Sequence, residues 1–441
     1  MFRSRNSVQS AVSNRKDAPQ SASVLGRLGP GLITGAADDD PSGIATYSQV
    51  GAEFGFTMLW TMLFSFPLMA AIQEICARLG RITGVGIAVN LKNIYPRSIS
   101  YFVVFLLCVA NLFNLGADIS AMAAAAQLLL HGSAAVFAMV FGVISLLLQI
   151  FVPYRRYVGY LRWLTWTLFA YVVTGFLVHV PWRIALRATL VPAISFDAKY
   201  LMALVGVLGT TISPYLFFWQ ASQEAEEVRV RANESPLKQK PWQALKQFRR
   251  IALDTRVGMG FSNFVAYFII LTTAATLHAA GTTTVIHSSA DAAKALEPLA
   301  GKSAFLLFSL GIIGTGMLAV PVLAGSAAYA VADLFHWRAG LEQKAGQAPK
   351  FYGVLALATI AGVCLDFFGI DPMRALFWSA VVNGVVAVPL MFLIMLMSAN
   401  PRIVKGFQLP SFLKIVGWTA TGAMLVASVV FIASTIWQSL R

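Results

Sequence analysis

Residues 101–130 read YFVVFLLCVANLFNLGADISAMAAAAQLLL, an apolar run in which Asp118 is the one charged side chain. Such a run exceeds the ~18–20 residues a helix needs to cross a bilayer core. Several other runs in the chain are comparable. Lipid offers backbone groups no water, so only helices or closed barrels can span it. A barrel would show alternating segments of ~10 residues, and the runs here are continuous. Composition agrees: 58% of the 441 residues are hydrophobic and 12% charged, against roughly 25% charged in a soluble domain. The sequence predicts an all-α polytopic membrane protein. Eleven spans are expected, near residues 24–51, 57–78, 99–130, 134–152, 163–180, 199–222, 254–279, 303–334, 351–368, 373–397 and 415–438.

The formal net charge is +14, and its placement argues against nucleic-acid binding. With the N-terminus inside, only Arg183, Arg187, Lys199, Lys294, Lys302, Arg374 and Arg441 of the 33 Lys and Arg fall outside. This is the positive-inside pattern. It predicts a multi-pass protein of a bacterial cytoplasmic membrane, with a cytoplasmic N-terminus and an external C-terminus. Cys76, Cys108 and Cys364 lack paired spacing, so neither a disulfide framework nor a cysteine metal site is indicated. The five histidines lie near span ends or in loops. Residues 1–23 read as a polar tail and 24–438 as one transmembrane domain. Residues 223–253 read as a cytoplasmic loop, solvated and bearing a short amphipathic helix.

Two spans are interrupted. In the first, "DDDPSG" (Asp38–Gly43) sets a proline, a glycine and three carboxylates at mid-depth. In the sixth, "GTTISPY" (Gly209–Tyr215) surrounds Pro214 with small polar residues. Proline removes a backbone donor and clashes with the preceding turn. Breaks in spans one and six fit two inverted five-helix repeats, about 24–180 and 199–397, plus an extra helix at about 415–438. In transporters of this kind the site lies where two discontinuous helices face each other.

A carboxylate at mid-membrane costs at least ~2.5–3.5 kcal/mol on insertion scales. No Lys or Arg lies between Arg27 and Arg78, so the natural counter-charge is a bound cation or a proton. Asp40, directly before Pro41, is the expected ligand. Asp38 and Asp39 project in other directions, since successive helical residues turn by ~100°. They either serve the pathway directly or contact a neighbouring half-helix or an aqueous vestibule. Asn383 in the tenth span is a candidate pathway residue, with helix packing the expected role of Gly384. Trp219 and Trp378 are the tryptophans expected to lie deepest.

"GPGLITGAADDDPSGIATYSQVGAEFG" (Gly29–Gly55) resembles the first helix of NRAMP divalent-metal transporters, whose signature there is Asp-Pro-Gly-Asn. "QEICARLGRITGVGIA" (Gln73–Ala88), "MLAVPVLAGSAAYAVAD" (Met317–Asp333) and "ANPRIVKGF" (Ala399–Phe407) resemble its second, eighth and tenth helices. The resemblance runs from about Leu25 to Phe407 and implies a LeuT-type fold. It also implies that the backbone carbonyls of Ala37 and Thr210 line the ion site. Two departures stand out. Asp40 and Pro41 are kept, but Ser42 and Gly43 replace the family's Gly and its Asn ligand. Ser213 and Tyr215 flank Pro214 where the family has Met and His.

A thioether favours soft ions, so Ser213 removes that preference, and Gly43 is expected to leave room for water. Mg²⁺ gives up its water reluctantly. In losing both ligands the chain resembles the NRAMP-related magnesium transporters. The family's acidic pair in the third helix falls at Asn111 and Asn114, which cannot carry protons. Asp118, one turn on, is either a substitute relay or a satisfied structural carboxylate. The expectation is a divalent-cation transporter for Mg²⁺, with Mn²⁺ second, uncoupled to protons. The metal is expected as substrate and no cofactor is expected. The alternatives are an organic-solute transporter on the same fold and a non-transporting receptor or scaffold. An enzyme is not expected, because no catalytic constellation appears.

Overall fold

A computed structural model describes residues 30–152, 164–230, 234–281, 286 and 288–439. The expected tail, residues 1–23, lies outside them. The principal helices are α1 (Pro30–Asp38), α2 (Pro41–Phe54), α3 (Trp60–Thr83), α4 (Arg97–Leu130), α5 (Ala134–Phe151), α6 (Phe169–Leu177), α7 (Ala198–Thr211), α8 (Pro214–Val230), α9 (Ala244–Thr273), α10 (Ala304–Phe335), α11 (Pro349–Asp366), α12 (Pro372–Ala399) and α13 (Ser411–Ser439). Among the described residues, nine helices are long and apolar enough to cross a bilayer. The pair α1/α2 and the short apolar helix Trp166–Leu177 occupy the first and fifth expected spans.

Both expected breaks are present. Asp40 adopts an extended conformation (φ −70°, ψ 168°) between α1 and α2, and Pro41 opens α2. A helix tolerates proline at its first position because the missing N–H has no partner there anyway. Ile212 and Ser213 separate α7 from α8, which Pro214 opens. The contacts repeat between halves: α4 packs on α5 as α10 packs on α11, and α2 packs on α9 as α8 packs on α3. The architecture is the LeuT-type arrangement of two inverted repeats with broken first and sixth helices.

Burial sorts the helices into centre and rim. The apolar window of the sixth span is 94% buried, against 22% in α5 and 28% in α11. Leu147 and Leu357 lie exposed on the rim helices, and Phe105 on the outer face of α4, as suits lipid-facing side chains. At the centre, small residues allow backbones to touch, the usual device where lipid removes the hydrophobic drive between helices. A Cβ on Gly209 of α7 would lie 2.1 Å from the Ala380 carbonyl of α12, and one on Gly384 would lie 2.7 Å from the Val205 carbonyl. Gly384 thus has the packing role expected for it. Gly209→Ala must push α7 and α12 apart. An overpacking cost of roughly 1–3 kcal/mol is expected, read as a lowered melting temperature of the detergent-purified protein.

The segment 223–253 differs from its expected form. Helix α8 runs on to Val230 and α9 begins at Ala244, so most of the expected loop is helix. Glu224, Glu226 and Glu227 are buried. They look out of place in a membrane helix until their partners are seen. Arg250 Nη2 of α9 donates to Glu224 at 2.6 and 2.8 Å. Arg81 of α3 pairs with Glu224, Glu227 and Glu234. Glu74 takes Arg78 at 2.7 Å and Arg256 at 3.3 Å, and Tyr329 of α10 donates to Glu226. This network joins α3, α8, α9 and α10 on the side where α1 begins. Asp254 of the same cluster accepts from the Gly31 amide at 2.8 Å, which ties the start of α1 to it.

Candidate functional site

Asp40 is where the breaks converge. Its Oδ1 accepts from the Gly43 amide at 2.7 Å and the Ser42 hydroxyl at 2.8 Å, the N-cap geometry of α2. Its Oδ2 accepts from Asn114 Nδ2 of α4 at 2.9 Å and, more distantly, from the Tyr215 hydroxyl of α8 at 3.4 Å. Asn114 in turn accepts from the Ser379 hydroxyl of α12 at 2.8 Å. A single carboxylate thus gathers the first, third, sixth and tenth spans, and it is 1% exposed. Among the described residues, its hydrogen-bond partners include no Lys, Arg or His. Helix N-termini hold anions well, so α2 stabilises the charge that makes Asp40 attractive to a cation.

The other residues of the expected ion site lie close by, each in a specific state. The Ala37 carbonyl accepts from Tyr215 at 2.9 Å. Ser213 Oγ turns back on α7 and lies 2.9 Å from the Gly209 carbonyl and 2.8 Å from that of Thr210. Ser213 therefore closes the end of α7. The room for water expected beside Gly43 is not there. A Cβ on Gly43 would lie 3.1 Å from Thr210 Oγ1 and 3.3 Å from the Tyr47 ring. Thr210 and Tyr47 fill the space that a larger residue at 43 would need.

Asp38 and Asp39 face α9, where Ser262 Oγ lies 2.7 Å from Asp38 Oδ2 and 2.9 Å from Asp39 Oδ1. A hydroxyl has one proton to donate, so it serves one carboxylate at a time. Among the described residues no three His, Cys, Asp or Glu side chains form a metal cage. Asp38 and Asp39 thus share one hydroxyl of α9, whereas Asp40 has its own partners. Asn111 and Asn114 also part company: Asn111 donates to the Leu323 carbonyl of α10 at 3.1 Å and stands apart from Asp40. Asp118 is fully buried. Asn383 is buried with neither side-chain polar atom hydrogen-bonded. Of the two tryptophans expected to be deep, Trp219 is fully buried, whereas Trp378 is 46% exposed.

Access differs on the two sides of Asp40. The ion-pair network stands on the side where α1 begins. On the opposite side a cavity of about 250 Å³ reaches Ala45, one turn beyond the break, and is lined by Gln49, Glu53, Lys199, Met202 and Phe377 among others. Gln49 spans its wall, donating to Glu53 at 3.0 Å and accepting from the Ile286 amide at 2.7 Å.

The sequence matches the family described as "Natural resistance-associated macrophage protein-like" (Nramp) over residues 31–434. The chain belongs to the Nramp family. Membership makes it a membrane transporter rather than an enzyme. The Nramp chain is similar to the divalent metal cation transporter MntH of Pectobacterium carotovorum subsp. carotovorum, with 26% identity over 374 residues, 81% of this chain and 82% of that one. The MntH of Klebsiella pneumoniae (strain 342) is 24% identical over 420 residues, 93% of this chain and 94% of its own. In structure the chain resembles the Eremococcus coleocola manganese transporter, with a TM-score of 0.70 at 16% identity over 93% of this chain and 86% of the other. The nucleobase-cation-symport-1 transporter Mhp1 shares the fold at a TM-score of 0.54 and 15% identity, over 93% and 92% of the two chains.

Sequence reasoning missed Ser262 and Ser379, which no local pattern distinguishes from helix-packing serines. It also missed the buried glutamates, although "QEAEE" (Gln223–Glu227) at the end of an apolar span carried a signal. Three glutamates at the end of a membrane helix need cationic or hydrogen-bonding partners on neighbouring helix ends.

Proposed function

We propose that this Nramp protein moves divalent metal ions across the membrane, with Mg²⁺ preferred, Mn²⁺ second and no obligatory proton coupling. The carrying observation is Asp40: a buried carboxylate with no cationic partner among the described residues, set at the N-terminus of a half-helix and beside a second break. The curated relatives named above are divalent metal cation transporters, which supports a metal as the cargo. The oxygen-rich surroundings and the absence of a thioether at Ser213 favour hard ions. A neutral Asn114 on Asp40 and a phenol at Tyr215 support transport without a dedicated proton acceptor at those positions.

With the N-terminus in the cytoplasm, the ion-pair network would close the inner side and the cavity at Ala45 would be the outer approach. For an ion to bind at Asp40, Tyr215 must release the Ala37 carbonyl and Ser213 the Thr210 carbonyl.

The test is uptake of Mg²⁺, Mn²⁺ and Ca²⁺ into proteoliposomes holding the purified protein, with internal pH followed in parallel. Mg²⁺ and Mn²⁺ entry without matching proton flux is expected. Absence of divalent flux by folded protein would remove the metal reading. Ser213→Met should shift preference toward soft ions, Cd²⁺ over Mg²⁺, by about tenfold, which corresponds to ~1.4 kcal/mol. An unchanged ratio would place Ser213 outside the ion's reach.

A further inference from the structure

Four aspartates are buried around the first break, and three of them lie within hydrogen-bond distance of a donor, Asp38 and Asp39 sharing one. Asp38 and Asp39 face Ser262, and Asp40 has Ser42, Gly43, Asn114 and Tyr215. Asp118 is the exception. It is 0% exposed, yet neither carboxylate oxygen has a hydrogen-bond partner. Buried polar groups are satisfied in the great majority of cases, and a buried charge left unpaired is costly.

Its direction is fixed by its neighbours on α4. Residues four apart lie on one helix face, so Asn114, Asp118 and Met122 form a single stripe. Asn114 donates to Asp40. Met122 and Pro41 converge on the same point beside Gly316 of α10. Asp118 lies between them and so faces the α1/α2 break. The Ser42 backbone N–H faces it without reaching hydrogen-bond geometry, and Asp40 and Tyr215 are within electrostatic reach. Among the described residues, no Lys, Arg or His pairs with it.

We propose that Asp118 is the second carboxylate of the ion site, so that a divalent cation is shared between Asp40 and Asp118 at the N-terminus of α2. This rests on the metal-transport reading above and adds to it a residue and a charge rule. Two buried carboxylates repel each other until a doubly charged ion enters, and a singly charged ion leaves half of that charge uncompensated. Oxygen ligands of this kind suit Mg²⁺ and Mn²⁺.

The test titrates Mn²⁺ and Mg²⁺ into full-length detergent-purified protein by calorimetry, for the native chain and for Asp118→Asn, Asp118→Ser and Asp118→Glu. Asparagine keeps the size and removes the charge; serine provides an uncharged form if asparagine does not fold. A rise of tenfold or more in Kd for both ions is expected with Asn or Ser, while Glu retains binding. The rise in melting temperature on adding Mn²⁺ should shrink in parallel, whereas the ion-free melting temperature should not fall. A purely structural carboxylate would give the reverse: an unchanged Kd and a lowered ion-free melting temperature. An unchanged Kd in the uncharged variants overturns the role of Asp118 while leaving metal transport standing. A native protein that binds neither ion overturns both.

Discussion

Asp40→Ala is expected to abolish divalent-ion uptake and to raise Kd for Mg²⁺ and Mn²⁺ by at least about a hundredfold, a change of ~2.7 kcal/mol. The size follows from charge. Unit charges 4 Å apart interact by about 4 kcal/mol at an effective dielectric near 20, and the ion is doubly charged. The substitution also removes the N-cap of α2, worth ~1 kcal/mol, so loss of uptake needs a second variant to be interpretable. Asp40→Asn supplies it. Asparagine is also a good N-cap and can still accept from Gly43 and Ser42, but it has no charge. Calorimetry should show that Asp40→Asn melts near the native temperature and yet binds divalent ions poorly. Native-like ion affinity in Asp40→Asn would mean that geometry, and not charge, makes the site, and would turn attention to an uncharged substrate.

The breaks were legible because they violate the rule that governs the rest of the chain. A membrane helix has no local reason to contain "DDDPSG", so the violation points to a site. Asp40 stood out as the residue next to Pro41, and the structure places it at the crossing of four spans. What surrounds it could not be read locally. Ser262 and Ser379 are separated from Asp40 by more than two hundred residues, and only the packing of α9 and α12 brings them close. The state of Gly43 was misjudged for a similar reason. Loss of a side chain looks like added space in a sequence, but here Thr210 and Tyr47 occupy that space. The loop at 223–253 was misjudged because charge was taken as a sign of solvent. Glu224 is an acidic residue and completely buried; its partners Arg81 and Arg250 lie on other helices, and a linear reading of "QEAEEVRVR" (Gln223–Arg231) cannot assign them.

Those partners give the second large effect. Arg250→Ala should destabilise the protein by about 3–5 kcal/mol, the range for removing one member of a buried ion pair. Glu224 is fully buried and loses both of its hydrogen bonds to Nη2. Arg81, at 3.6 Å, is then the ion-pair partner it keeps. The cost belongs to the stranded charge rather than to the pair itself, so it should be partly reversible. In the double variant Arg250→Ala/Glu224→Gln, at least ~1 kcal/mol should return, visible as a higher melting temperature than that of Arg250→Ala alone. Equal melting temperatures would assign the loss to packing of the guanidinium stem. The same substitution reaches the transport pathway through Asp254, which stands 3.9 Å from Arg250 and accepts from the first turn of α1 at Gly31. A cysteine at Ala36, in a background lacking the native cysteines, should react faster with a polar thiol reagent from the α1 side when Arg250 is Ala. An unaltered labelling rate would show that the network stabilises α3, α8 and α9 without holding α1 in place.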